Sequence, residues 1–89
     1  MALLDLLGRR WALRILWELR AGPLNFRDLR AACGDISPAV LAERVAELRE
    51  AGILASGDDG YHTTAHGTSL LHALAPLNAW AAAWARRAT

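Results

Sequence analysis

The side chains best equipped for chemistry in this sequence are three histidines, one cysteine and ten arginines, and their spacing separates them. His62, His66 and His72 with Cys33 form the set with metal-ligand chemistry. His62 and His66 straddle an expected strand-to-helix junction, so they make no helical i,i+4 ligand pair, and the paired cysteines of a structural zinc site are missing. Ser69 and His72 have no acid placed to orient a base, and there is no phosphate loop. Neither a metal nor a cofactor is therefore expected, and an enzyme is not expected either. Cys33 lies at a helix C-terminus, which disfavours the thiolate. It reads as a small buried residue rather than a redox sensor, despite Arg30 nearby. The arginines differ in kind. Arg27 and Arg30 on one expected helix, followed by Ser37, Pro38, Ala39, Ala42, Glu43 and Arg44 on the next, are the candidate backbone and groove contacts to double-stranded DNA.

Those residues need two helices and a tight turn to hold them. Asn25 is an N-cap with Asp28 three residues on, where a carboxylate favours the unpaired N–H groups. Phe26, Leu29 and Ala32 form the inner face of that helix, which stops at Cys33-Gly34. Ser37 caps the next helix with Pro38 at its first position, the best helix start in the chain. Leu41, Val45 and Leu48 recur at i, i+4 and i+7 and define its buried stripe, and Gly52 closes it. Two helices so joined make a helix-turn-helix over residues 25–51, whose second helix suits a DNA major groove.

The flanking segments hold this unit. Residues 2–7 are a short apolar piece ending at Gly8. A helix is expected over 9–20, with Trp11, Ile15, Leu16 and Leu19 on one stripe and Arg10, Arg14 and Glu18 outside it. Gly22 is its expected left-handed cap, and Pro23 prevents continuation. Pro23-Leu24 reads as a brief extended piece. Residues 53–64 read as a two-stranded hairpin turning at Ser-Gly-Asp-Asp-Gly. Thr64 or Thr68 caps a last helix, expected over 68–87, striped by Leu70, Leu74, Leu77, Ala81 and Trp84 and interrupted by Pro76, which should kink or divide it.

Composition adds limits. Eighty-nine residues make one domain, and a domain this small is marginally stable unless it buries area elsewhere. Yet 54% of the residues are hydrophobic, and mean hydropathy is +0.15. That surplus points to subunit burial. Leu3, Leu4, Leu7, Leu74, Leu77, Trp80 and Trp84 are the expected homodimer seam, with Leu6 beside them. The net charge of +1 is not by itself a nucleic-acid signature. Arginine without any lysine, with abundant alanine, suggests a GC-rich bacterium. The lone cysteine fits a reducing cytoplasm, and the apolar stretch over 70–84 is broken by His72, Pro76 and Asn78, so no membrane span is expected.

The ordered set Leu7-Gly8-Arg9-Arg10-Trp11, Ile15-Leu16-Trp17-Glu18-Leu19, Gly22-Pro23 and Phe26-Arg27-Asp28-Leu29 resembles the opening of HxlR-type transcriptional regulators. Ile36-Ser37-Pro38, Leu41, Glu43-Arg44-Val45, Glu47-Leu48 and Ala51-Gly52-Ile53 resemble that family's recognition helix, and Tyr61, Thr64, Gly67, Leu70 and Trp80 continue the match. The resemblance implies a mainly α (α+β) fold: a winged helix-turn-helix spanning 1–89, with a short two-stranded wing and a long C-terminal dimerisation helix. It also implies a homodimeric DNA binder of the MarR-like group on a pseudo-palindromic site. The sequence departs from the family in its short wing carrying Asp58 and Asp59, in Ala39 directly after Ser-Pro, and in Leu24-Asn25 where basic residues are usual. It has no cysteine near its first residues, so the oxidant sensing of some members is not carried over.

The recognition helix itself divides the expectation. Opposite its buried stripe lie Ala39, Ala42, Glu43, Ala46, Glu47 and Glu50, with Arg44 and Arg49 on the flanks. Glu43 can accept from a cytosine amino group, and alanines allow contact with a thymine methyl. Carboxylates near phosphates weaken binding, because DNA affinity rests largely on phosphate neutralisation. Two readings therefore stand: a homodimeric DNA-binding regulator, or a degenerate winged helix serving as a protein-interaction or dimerisation module.

Overall fold

The computed structural model describes residues 2–87, without the side chain of Ala2; residues 1, 88 and 89 of the expected domain lie outside the described residues. The chain runs α1 (Ala2–Leu7), α2 (Ala12–Glu18), α3 (Phe26–Cys33), α4 (Pro38–Glu50), β1 (Leu54–Gly57), β2 (Gly60–Thr63) and α5 (Ala65–Arg87). This is a winged helix-turn-helix. One apolar cluster holds it together: Ile15, Leu16 and Leu19 from α2 and its end, Leu29 and Cys33 from α3, Ile36 from the turn, Leu41, Val45 and Leu48 from α4, and Ile53 and Leu54 at the wing's base. The expected stripes of α2, α3 and α4 all face this cluster, and no polar side chain among the described residues is buried with them.

The caps of the motif behave as their residue types require. Asn25 accepts from the Asp28 amide at 2.8 Å, and Ser37 Oγ accepts from the Val40 amide at 3.1 Å. Ile36 and Leu41 hold the two positions of a hydrophobic staple around Ser37, and both are fully or nearly fully buried. At the other end of α4, Gly52 takes φ 77°. Its amide donates to the Arg49 carbonyl at 3.0 Å, and the Ile53 amide donates to the Leu48 carbonyl at 2.9 Å. That pair of bonds is a Schellman closure, which turns the chain sharply and delivers Ile53 into the core beside Leu48.

The hairpin is tighter than expected. Ser56 and Gly57 belong to β1, pairing with Tyr61 and Gly60, so only Asp58 and Asp59 form the loop. Leu24 adds a backbone pair on the far side of β2: its amide donates to the Tyr61 carbonyl at 3.1 Å, and the Tyr61 amide returns a bond of 2.8 Å. This is the extended piece expected at Pro23-Leu24. Gly60 sits where it does because any Cβ there would overlap the Leu24 carbonyl, and its φ is +111°.

Three boundaries differ from expectation. Residues 2–7 are helical, and the next helix begins at Ala12, because Arg9–Trp11 form a corner in which Trp11 adopts φ 78°. α2 ends at Glu18, where the Leu19 amide is shared between the Ile15 and Leu16 carbonyls and the turn tightens; Gly22, with φ 148°, shapes the following turn and is not the helix cap. α5 starts at Ala65, with Thr64 as its cap: the Gly67 amide donates to Thr64 Oγ1 at 3.1 Å. Pro76 lies within α5 without dividing it.

Gly67 is buried in the first turn of α5, directly against the Ile53 carbonyl. A methyl at Gly67 would overlap that oxygen and crowd the Thr63 side chain. Gly67→Ala should therefore lower unfolding stability by about 1–3 kcal/mol, read from the urea midpoint. Gly57→Ala, whose methyl would meet only the His62 ring at 3.4 Å, should stay within about 0.5 kcal/mol of the parent.

Candidate nucleic-acid interface

The surface that α4 turns outward begins at its capped start. Ser37, Pro38, Ala39, Ala42, Glu43, Ala46, Arg49 and Glu50 are exposed, while Leu41, Val45 and Leu48 are buried beneath them. The first turn and a half is thus small and nearly uncharged, which permits close backbone approach to a groove edge. Arg49 was placed on a flank from the sequence; it lines a concavity with Ala46, Glu50, Leu54, Ala55 and Ser56, between α4 and the first strand of the wing. Asp58 and Asp59 are exposed at the wing tip.

Arg27 and Arg30 are exposed on α3. Arg30 Nε donates to the Ile36 carbonyl at 3.1 Å. It therefore spans the turn of the motif and braces α4's start while keeping its charge at the surface. Arg14, from α2, caps the other side: its Nη2 donates to the Ala32 carbonyl at 3.0 Å, where α3 leaves carbonyls unpaired. Arg14 also pairs with Glu18 at 2.8 Å.

Arg44 and Glu47 lie where sequence reasoning did not put them. Arg44 was expected as the conventional groove contact, yet its side chain is only 14% exposed. Its Nε donates to the Arg10 carbonyl at 3.1 Å, and its Nη1 donates to Glu47 Oε1 at 2.7 Å and lies 3.4 Å from Glu43 Oε1. The second oxygen of Glu47 lies 3.2 Å from Arg9 Nε. Glu47, assigned to the outward face by helical stepping, is half-buried and neutralised by two arginines. The carboxylates that α4 presents to solvent are Glu43 and Glu50. A 100° projection fixes which face a Cα lies on; it does not say that a long side chain on the border turns inward to a corner 34 residues earlier.

The expected seam residues fall into two groups. Leu77 (56% exposed), Trp80 (62%), Trp84 (51%), Leu3 and Leu4 are bare; Leu7 and Leu74 are half-buried, and Leu74 packs on the core. Trp80 and Trp84 stack with ring centroids 6.3 Å apart, and Arg87 lies over Trp84 at 4.9 Å. Two further apolar residues escaped the sequence reading. Leu13 and Trp17, one turn apart on α2, are exposed and form a groove with Leu71, Leu74 and Leu77 of α5. The signal was present: α2 carries more apolar residues than one stripe can hold, and Leu13 and Trp17 form a second i,i+4 pair.

Comparison with known proteins fits this geometry. Residues 6–89 match the HxlR-like helix-turn-helix family. The chain belongs to that family. Among relatives, the uncharacterized HTH-type transcriptional regulator YvaP of Bacillus subtilis (strain 168) is 30% identical over 87 residues, spanning 90% of this chain and 81% of YvaP. Among solved structures, quinone-bound YodB from B. subtilis superposes with a TM-score of 0.84 at 34% identity, covering 90% of this chain and 91% of YodB. A "possible HxlR family transcriptional factor" from Thermoplasma volcanium GSS1 gives 0.81 at 30% identity, covering 93% and 81%. The family and these relatives are transcriptional regulators, not enzymes.

In this HxlR-family chain His62 lies on β2 of the wing, His66 and His72 on α5, and Cys33 at the end of α3. Among the described residues, no three His, Cys, Asp or Glu side chains gather closely enough to hold a metal ion. Cys33 is buried in the core, and burial pushes its thiol above the ordinary value, with Arg14 opposing and Glu18 adding to the shift. A raised thiol holds less thiolate at neutral pH, and the thiolate is the reactive form. Cys33 should accordingly resist a water-soluble disulfide reagent at pH 8 in the folded chain and react fully in urea. Native labelling at the rate of a free thiol would show that the turn after α3 opens readily.

Proposed function

We propose that this HxlR-family regulator binds double-stranded DNA as a homodimer, through the exposed start of α4, at a pseudo-palindromic site in the cytoplasm. The observation that carries the reading is the outward face built from Ser37, Pro38, Ala39 and Ala42, small exposed side chains on a firmly capped helix with no described residue covering them. Glu43 follows on the same face, suited to a cytosine amino group. Arg27 and Arg30 on α3 supply phosphate contacts that set the register. Arg44, expected among the contacts, is already engaged within the protein.

The homodimer is supported by apolar surface that the fold leaves bare. α1 offers Leu3 and Leu4, and the outer half of α5 offers Leu77, Trp80 and Trp84. Large contiguous apolar patches are costly on a monomer. A dimer through these helices sets two copies of α4 about one DNA turn apart, roughly 34 Å. No described helix is long and apolar enough to cross a membrane.

YodB has been solved quinone-bound and after diamide treatment. In this chain the one cysteine, Cys33, is buried, and burial pushes its thiol above the ordinary value. A second reading, a protein-interaction module that has lost DNA binding, is favoured by the exposed Glu43, Glu50, Asp58 and Asp59 around the same face.

Fluorescence anisotropy with the DNA upstream of its own coding region separates the two readings. Binding should weaken as salt rises from 50 to 200 mM, and Arg27→Ala should reduce the slope of log K against log salt by about 1. Absence of binding at 50 mM salt refutes the DNA reading and favours the protein-interaction module. Light scattering should give about twice the 9.7 kDa chain mass, and the double variant Leu77→Glu, Trp80→Glu should fall to a monomer. A parental monomer at micromolar concentration would sink the dimer.

A further inference from the structure

We propose that Arg44 and Glu47 are positioning residues for DNA binding: they clamp the recognition helix to the α1–α2 corner, and Arg44 itself neutralises no phosphate. This rests on the DNA-binding reading above and names how that site is held in register.

Arg44 uses its planar fork in two directions at once, Nε toward the Arg10 carbonyl at 3.1 Å and Nη1 toward Glu47 at 2.7 Å. A lysine has one ammonium on a flexible stem and cannot reproduce both donors in that plane. Glu47 is held from its other oxygen by Arg9 at 3.2 Å. Two cations and one carboxylate, with Glu43 at 3.4 Å from the same Arg44 nitrogen, make a locally balanced cluster. The Arg10 carbonyl, in turn, belongs to a corner fixed by Trp11 at φ 78°. A bulky residue stays in that conformation only where its surroundings over-determine it. Trp11 packs against the core, and the Arg10 guanidinium lies 5.4 Å from its ring centre.

The clamp acts at the middle of α4, away from the capped start that faces the groove. The ends of α4 are fixed by Ser37 and by the Gly52-Ile53 closure. The apolar stripe fixes its depth, and apolar contacts are non-directional. Rotation about the helix axis is what directional bonds from Arg44 restrain. A small rotation would move Ala39, Ala42 and Glu43 relative to base edges without exposing the core. Because the Arg44 charge is already met by carboxylates, DNA binding through this arrangement releases no counterion on its account.

The test is anisotropy with the upstream duplex, across a salt series, on variants shown by circular dichroism to be folded at the assay temperature. We expect Arg44→Lys, Arg44→Gln and Glu47→Gln each to weaken binding about tenfold, the size of losing one hydrogen bond to a charged group. The salt slope should equal the parent's for Arg44→Gln, whereas Arg27→Gln should lose about one unit of slope. A purely structural role would leave the affinity of the folded variants at the parental value, and that result overturns the proposal. So does a full rescue by Arg44→Lys with a lower slope for Arg44→Gln, which would make Arg44 a phosphate contact. Tighter binding by Glu47→Gln would also overturn it, showing that Arg44 must be released toward DNA. If the parent binds no DNA at any salt, the DNA-binding reading itself fails and takes the proposal with it. That result is distinct from a parent that binds and variants that match it.

Discussion

The junction where α4 ends, the wing begins and α5 starts is the constraint on which the rest of the structure depends. Thr64 stands at its centre. Its hydroxyl donates to the Gly52 carbonyl at 2.5 Å and accepts from the Gly67 amide at 3.1 Å, and its own amide donates to the Ile53 carbonyl at 3.1 Å. One residue thus serves as the cap of α5 and as the lock on the closure of α4. Without Gly52 at positive φ the chain would not turn toward the core, and without Gly67 α5 could not pass so close to Ile53. The hairpin is short because both of its ends are tied at this point: Leu54 pairs with Thr63, one residue from the lock. The direction of α5, and hence where its apolar outer half projects, follows from the same few bonds.

Most of the helix-turn-helix was legible in the sequence because its signals are local. Asn25, Ser37-Pro38 and Gly52 act on backbone groups within four residues, and the 41/45/48 stripe has one solution on a helix of this length. The Arg9–Trp11 corner was not legible for the opposite reason. Nothing in Arg-Arg-Trp-Ala opposes a helix, and helical propensity is a weak prior that tertiary contacts override. Trp11 leaves the helical region where its ring packs against the core and where the Arg10 carbonyl meets Arg44, 34 residues later. The start of α5 was ambiguous between two threonines of equal capping strength. Thr64 takes the cap because its hydroxyl also reaches the end of α4, a partner that only the fold supplies.

On α4 the outward face was misjudged in its charge. A count of carboxylates on α4 gives three facing outward, which set DNA binding in doubt. The fold removes one of them, since Glu47 turns to Arg9 and Arg44. It also removes the arginine that seemed to compensate. The two changes nearly cancel in net charge, but they change what the face is made of. What remains at the start of α4 is shape, a strip of Ser, Pro and Ala, with positive charge supplied from α3. Base readout on such a strip depends on how closely the helix approaches the groove, and closeness depends on the angle at which α4 is held. If Arg27 and Arg30 meet phosphates as proposed, those contacts add affinity without sequence information, and specificity falls to the angle.

The apolar surplus follows a similar logic of placement. The core cluster is filled from residues 15 to 54, with Leu70, Leu71 and Leu74 closing its side. From Ala75 onward every described residue of α5 is exposed, and Leu77, Trp80 and Trp84 leave about half or more of their surface in water in the lone chain. A segment of Ala and Trp in water is a poor helix on its own, since short helices rely on tertiary packing of one face. In the proposed homodimer a second copy covers this outer half. α1, six residues long, is likewise bare at Leu3 and Leu4. The proposed homodimer would bury both and supply area that a small domain lacks. It would also tie the proposed recognition to assembly, because α1 leads directly into the corner whose Arg10 carbonyl accepts from Arg44.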